Sequence, residues 1–201
     1  MIIHISGPSG SGKTTLGNKL KEKFKNKIVI KDLDDLRKEF IKYKYGSYDK
    51  IRSNKNFKWD KNAYQKWIYD FINNQKTKKP IVFVGLNHMP WWHKNLYYDL
   101  NSDYNFYINI SDDKIWEQKC LRFINDVFSI HLKDILKDIK KNEKKTITDL
   151  QEGLKFECAY KEMKKQNNIW KKDYKKQGYK FMTNDKIFSE VSKLLSSKKY
   201  N

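Results

Sequence analysis

Met1-Ile2-Ile3-His4-Ile5-Ser6-Gly7-Pro8-Ser9-Gly10-Ser11-Gly12-Lys13-Thr14 opens the chain and decides how the rest of it is read. Its first residues make a short apolar strand. Gly7 to Thr14 then fill every fixed position of the pattern G-x-x-x-x-G-K-[ST], and the run over 15–24 that follows is helix-forming. Glycines let the backbone bend tightly, so that successive N–H groups point inward while the next helix turns the positive end of its dipole to the same spot. A phosphate site is expected over Gly7, Pro8, Ser9, Gly10, Ser11, Gly12, Lys13, Thr14 and Thr15. In it Lys13 lies along the β- and γ-phosphates of a nucleotide, Thr14 gives its hydroxyl to Mg²⁺, and Thr15 reaches the α-phosphate.

Working outward, 201 residues suffice for one sizeable core or for one core with a small helical insertion. One domain over 1–201 is expected, with a helical lid or insertion at 126–177. The strand runs straight into the loop, which does not suit a signal peptide or anchor, and no stretch approaches the roughly 18 apolar residues of a membrane span. Cys120 and Cys158 are the only cysteines, with no ligand-like spacing, so neither a disulfide framework nor a zinc site is expected. A soluble, reduced, cytoplasmic protein without a membrane partner is the expectation. The net charge of +19 has two open explanations, a polyanionic partner such as nucleic acid, or drift toward Lys in a chain equally rich in Asn, Tyr and Ile. Against that background the three arginines, Arg37, Arg52 and Arg122, stand out as places where a planar, bidentate group is wanted.

The pattern turns to strand again over 27–31 and stops at Asp32-Leu33-Asp34-Asp35. Ligands of open parallel sheets gather beyond the carboxyl ends of the strands, so these acids fall on the edge that carries the phosphate loop. There a carboxylate holds metal, orients a hydroxyl or accepts a proton. One of the three is also expected to cap the helix that follows.

The glycine loop, a Walker A sequence, together with a second strand ending in Asp-Leu-Asp-Asp-Leu-Arg, resembles the P-loop kinases of nucleotides and small molecules, the adenylate-kinase-like group. Asp32-x-Asp34 is similar to the acids of shikimate- and gluconate-type kinases, and Asp34-Asp35-Leu36-Arg37 to the D-D-x-R of polynucleotide 5′-kinases. Both likenesses imply that Asp34 handles the acceptor hydroxyl; with them go Asp32 as support for the metal and Arg37 as a clamp on the reacting phosphate. The group also implies a closing lid, into which the helix over 114–125 leads, and Arg122 is the residue expected to arrive with it.

Tyr43, Tyr45, Tyr48, Phe57 and Trp59 lie among lysines and either stack an acceptor ring or pack beneath a lid, with Arg52 on the acceptor side. Residues 60–77 read as an amphipathic helix capped by Asp60, and 81–84 as the central strand, ending in Gly85-Leu86-Asn87-His88. Gly85 stands where a hydrolytic P-loop ATPase carries an acid for magnesium; Asn87 and His88 are candidate acceptor contacts. A helix from Pro90 through Tyr98, a strand over 104–110, and a helix capped by Ser111 follow. Residues 126–177 read as helix with a break at 140–146 and a capping box at Thr148-Asp149-Leu150-Gln151. A last strand over 179–182 and a helix capped by Asn184 or Asp185 close the chain.

Strands alternating with helices imply an α/β fold, a three-layer α/β/α P-loop domain, and the resemblance implies a five-stranded parallel sheet of order 2-3-1-4-5. The expected activity is transfer of the γ-phosphoryl group of ATP, with Mg²⁺, to a nucleoside, nucleotide or other small molecule. Lys13, Asp34, Arg37 and Arg122 are the expected catalytic groups, with Thr14 and Asp32 at the metal. A nucleic-acid 5′-hydroxyl as acceptor, or a nucleotide-dependent binding protein without one, are the alternatives.

Overall fold

A computed structural model describes residues 1–54, 56–75, 79–88, 97–127 and 132–197. They divide into two compact units, one of residues 1–7, 12–109 and 178–201, the other of 8–11 and 110–177. The first contains the sheet: β1 (Ile2–Ser6), β2 (Val29–Asp32), β3 (Ile81–Val84), β4 (Tyr104–Ile108) and β5 (Lys180–Met182), all parallel in the order β2-β3-β1-β4-β5. With its helices it is the three-layer α/β/α arrangement read from the sequence. The central strands β1 and β3 are buried along their whole length, as continuous apolar runs covered on both faces must be. Alternate residues serve opposite layers: Val84 lies against Gly17 of α1 (Lys13–Phe24), while Phe83 meets the ring of Phe71 on α4 (Lys61–Asn74) at 5.9 Å.

Register brings Asp32 level with Val84, and Val84 level with Ile5, so the end of β2 and the start of the glycine loop share one edge of the sheet, with β3 between them. Strand β2 starts two residues later than its pattern suggests, because a 3₁₀ turn over Lys25–Lys27 takes up the first of the expected strand residues, and it runs on through Asp32. Helix α2 (Leu33–Tyr45) follows without a connecting loop, and α3 (Tyr48–Ser53), which carries Arg52, comes after it.

Phe40 of α2 sits at the centre of an aromatic cluster, its ring 5.1 to 5.9 Å from those of Tyr45, Trp59, Tyr64 and Trp67. Such edge and tilted contacts are worth about 0.5–1.5 kcal/mol each beyond burial. Trp59 is buried and its indole N–H donates to the Tyr98 hydroxyl at 2.6 Å, while Phe57 packs on Tyr45 at 5.1 Å. The expected choice between an acceptor-stacking surface and packing is therefore settled for Tyr45, Phe57 and Trp59, which are core. Tyr43, stacked on Trp67, remains exposed. Asp60 caps α4 as expected, accepting from Ala63 N at 2.9 Å.

Residues 89–96, where most of the helix from Pro90 was expected, lie outside the described residues. Its end is corrected: Tyr97 and Tyr98 are not helical, since Tyr97 bridges His88 and Tyr98 N donates to Asn87 O at 2.8 Å. At the chain's end, Thr183 accepts from Lys186 N at 3.5 Å and opens α8 (Asn184–Ser197), one residue ahead of the expected caps.

The second unit consists mainly of α5 (Asp112–Asn125), α6 (Leu132–Glu157) and α7 (Tyr160–Lys176). Ser111 caps α5, accepting from Lys114 N. The expected break falls at Asn142 (φ −156°, ψ 82°), whose side chain accepts from Lys145 N at 3.1 Å. Asn142, not Thr148, thus restarts the helix; Thr148 is internal and bonds back to Lys144 O at 2.9 Å. Asp112 and Asp113 then tie α5 to α7 through Asn167, Lys171 and Tyr160. Among the described residues no helix is long and apolar enough to cross a membrane.

Candidate active site

The glycine loop opens α1 with no capping side chain at its amide end. Gly12 is the N-cap, in the left-handed region at φ +85°, and offers no side chain; the first turn contains no acid. The left-handed conformation calls for glycine, whereas a Cβ there would meet only the movable end of the Asn184 side chain, at 3.0 Å from Nδ2. A helix start with neither a capping side chain nor an acid suits an anion. The Lys13 ammonium donates to Gly7 O at 2.8 Å, which holds it over the loop, and Thr14 and Thr15 are exposed. Pro8, Ser9, Gly10 and Ser11 complete the loop, with a turn closed by Ser11 N donating to Pro8 O at 3.1 Å.

Of the acids, Asp32 caps α2, its Oδ1 accepting from Asp34 N at 2.8 Å. Burial raises its carboxyl above the usual range; the Asp34 amide opposes this, the Asp34 and Asp35 carboxylates add to it, and the Lys13 charge lowers it. A half-buried carboxylate that feels the loop lysine has the chemistry of a cation ligand. Among the described residues no three His, Cys, Asp or Glu side chains gather as a metal cage.

Asp34 and Arg37, one turn apart on α2, form an ion pair, Arg37 Nη1 donating to Asp34 Oδ1 at 2.8 Å. Asp34 is exposed. Arg37 is buried, and its Nη2 donates to Leu86 O at 3.1 Å and His88 O at 3.3 Å. The guanidinium therefore ties α2 to the segment after β3 as well as orienting Asp34, a duty that the sequence did not reveal. Asn87 and His88 are themselves buried, and Asn87 donates to Tyr98 O at 2.9 Å. These two candidate acceptor contacts join the segment after β3 to Tyr97 and Tyr98. Arg122 is exposed in the last turn of α5, in the helical unit.

Gly85 explains why no acid follows β3. Its φ is +126°, and a Cβ there would lie 3.1 Å from Leu33 Cβ, 3.3 Å from Leu33 N and 3.5 Å from Asp32 Oδ1. The space that an acid at this strand end would need is occupied by Asp32 and the start of α2.

Sequence reasoning also missed His4. It is fully buried in β1; its Nε2–H donates to Gly85 O at 2.9 Å, and its Nδ1 therefore accepts from the Tyr179 hydroxyl at 2.6 Å. A polar residue inside Ile2-Ile3-His4-Ile5 was the available signal. Burial lowers its pKa to about 4, the Gly85 carbonyl opposing and the Lys13 charge assisting. The folded state thus holds His4 neutral, whereas the unfolded chain protonates it below 6.5. Stability complete above pH 6.5 should fall by about 3 kcal/mol as pH drops toward 4. Urea unfolding across this range should show a shallower acid loss in His4→Gln than in the parent chain; parallel profiles would remove His4 as the cause.

No family model matches the chain. Over 94 aligned residues it is 33% identical to the uridine kinases of Borrelia duttonii, Borrelia recurrentis and Borreliella burgdorferi, in alignments covering 41% of this chain and 46% of each relative. The likeness is to kinases. The match spans about half the length of these curated relatives. Among solved structures, an uncharacterized protein from Eubacterium ventriosum aligns over 98% of this chain and 99% of its own, with a TM-score of 0.41 and 14% identity.

Proposed function

We propose that this chain is an ATP- and Mg²⁺-dependent phosphotransferase whose acceptor is a hydroxyl of a nucleoside or related small molecule. One observation carries the reading: Lys13 and an acid-free helix start share one sheet edge with Asp32 and Asp34. Partial identity to uridine kinases supports a nucleoside as acceptor. The loop amides and Lys13 bind the triphosphate, and Thr14 and Asp32 hold the magnesium. That ion supplies charge neutralisation at the phosphates. Asp34, held at Oδ1 by Arg37, accepts the proton of the acceptor hydroxyl while the new O–P bond forms and the bond to the β,γ-bridging oxygen breaks, giving ADP and a phosphate monoester. Arg122 is the remaining candidate catalytic group, assigned to charge that develops only in transfer.

ATP turnover measured against a panel of nucleosides, nucleotides, other small-molecule hydroxyl compounds and 5′-hydroxyl oligonucleotides tests this. Strong stimulation by a nucleoside is expected; stimulation by oligonucleotides alone, or slow turnover indifferent to every acceptor, would overturn the reading. Asp32→Asn provides an internal check, because asparagine caps a helix as well as aspartate does. It should relieve the crowding of three carboxylates and leave the melting temperature unchanged or higher, while Mg²⁺-dependent transfer falls about 10–100-fold. Loss of stability without loss of transfer would confine Asp32 to capping.

A further inference from the structure

We propose that the exposed face of α7 is a docking surface for the phosphate backbone of a nucleic acid. At 3.6 residues per turn, Lys161, Lys164, Lys165, Lys172, Lys175 and Lys176 fall within one arc of about 120°. All six are exposed, and the opposite side of the helix is buried through Met163, Asn167 and Tyr174. The acids of α7, Glu162 and Asp173, lie outside the arc, as does Lys171, which is paired with Asp112 at 3.2 Å. The six make no ion pair among the described residues. Four lysines of the sheet unit, Lys31, Lys38, Lys44 and Lys66, each meet a carboxylate. Drift toward lysine would scatter the residue around the exposed circumference; here one sign of charge is collected on one line.

The line is about 22 Å long at 1.5 Å per residue, a length over which a nucleic-acid strand presents roughly six or seven phosphates at 3.4 Å of axis each. Lysines act on phosphates as flexible point charges, which suits a backbone contact without base reading. An anionic membrane fits less well, since a helix lying in that interface needs an apolar face to immerse, and Met163 and Tyr174 of α7 are already buried.

The test uses the full chain and a fluorescein-labelled single-stranded oligonucleotide, with anisotropy followed over a salt series. The combined variant Lys164→Gln, Lys165→Gln, Lys172→Gln, Lys176→Gln should flatten the slope of log K against log salt by about 3 and weaken binding about 10²-fold at roughly 0.1 M salt. A control of equal charge change, Lys19→Gln, Lys21→Gln, Lys23→Gln, Lys42→Gln, should alter both far less. Equal losses in the two variants, no oligonucleotide binding by the parent chain, or displacement by anionic vesicles at matched charge would each overturn the proposal. Phosphoryl transfer to a nucleoside should be unchanged in the α7 variant, so this surface and the proposed activity stand or fall separately.

Discussion

Asp34→Asn is expected to lower phosphoryl transfer by about 10²–10⁴-fold, the range a positioned general base supplies, with ATP affinity unchanged. The substitution keeps an oxygen for Arg37 and keeps a side chain of the same size at the start of α2, so the local structure has no reason to move. What it removes is the capacity to take a proton. Asp35 is the natural control: it is exposed, its contact is with Lys38 at 3.2 Å, and Asp35→Asn should leave transfer intact. Single-turnover rates with ATP already bound separate proton acceptance from nucleotide affinity. Undiminished transfer in Asp34→Asn, or equal losses in both variants, would take the base role away from Asp34.

Arg37→Ala should destabilise the chain by about 3 kcal/mol, because removing the guanidinium takes the donor from the carbonyl of buried His88 and from that of half-buried Leu86. For a chain of this length that is a fall of roughly 6–12 °C in Tm. The exposed partner Asp34 contributes little to this figure, since an ion pair open to solvent on one side is worth at most about 1 kcal/mol. Arg37→Lys should recover only part of the loss; an ammonium cannot reproduce a planar fork that reaches a carboxylate and two carbonyls at once. Thermal unfolding without nucleotide reads this directly. A Tm equal to that of the parent chain, accompanied by lost transfer, would make Arg37 a phosphate contact with no structural duty.

The two variants bear on how far pattern reading reaches. Asp34 and Arg37 stood out from residue type and spacing alone, three positions apart on one helix. Their pairing follows from helix geometry, but the burial of Arg37 does not, because Leu86 and His88 lie 49 and 51 residues away. Capping shows the same divide. That one acid of Asp32, Asp34 and Asp35 would cap α2 was legible; that it would be Asp32 depended on where β2 stopped. Thr148-Asp149-Leu150-Gln151 has the form of a capping box, yet Asn142 turned the chain six residues earlier, and a Thr already inside a helix bonds backward instead. Trp59 and Phe57 sit among lysines in the chain and among aromatic rings in space.

By itself the amino-acid sequence determined the alternation of strand and helix, the glycine loop with Lys13, and the acids that end the second strand. These are local properties: apolar spacing reports which face of an element is covered, and Gly, Pro and Asp report where it turns. Tertiary structure alone decided what covers each face. It set the buried bond from His4 to Tyr179 across 175 positions, the room that Gly85 leaves for Asp32, and the line of lysines that α7 turns outward once its other side is packed. Partners distant in sequence are chosen by packing and by the cost of leaving a buried polar group unmatched, and neither is written in the spacing of neighbours.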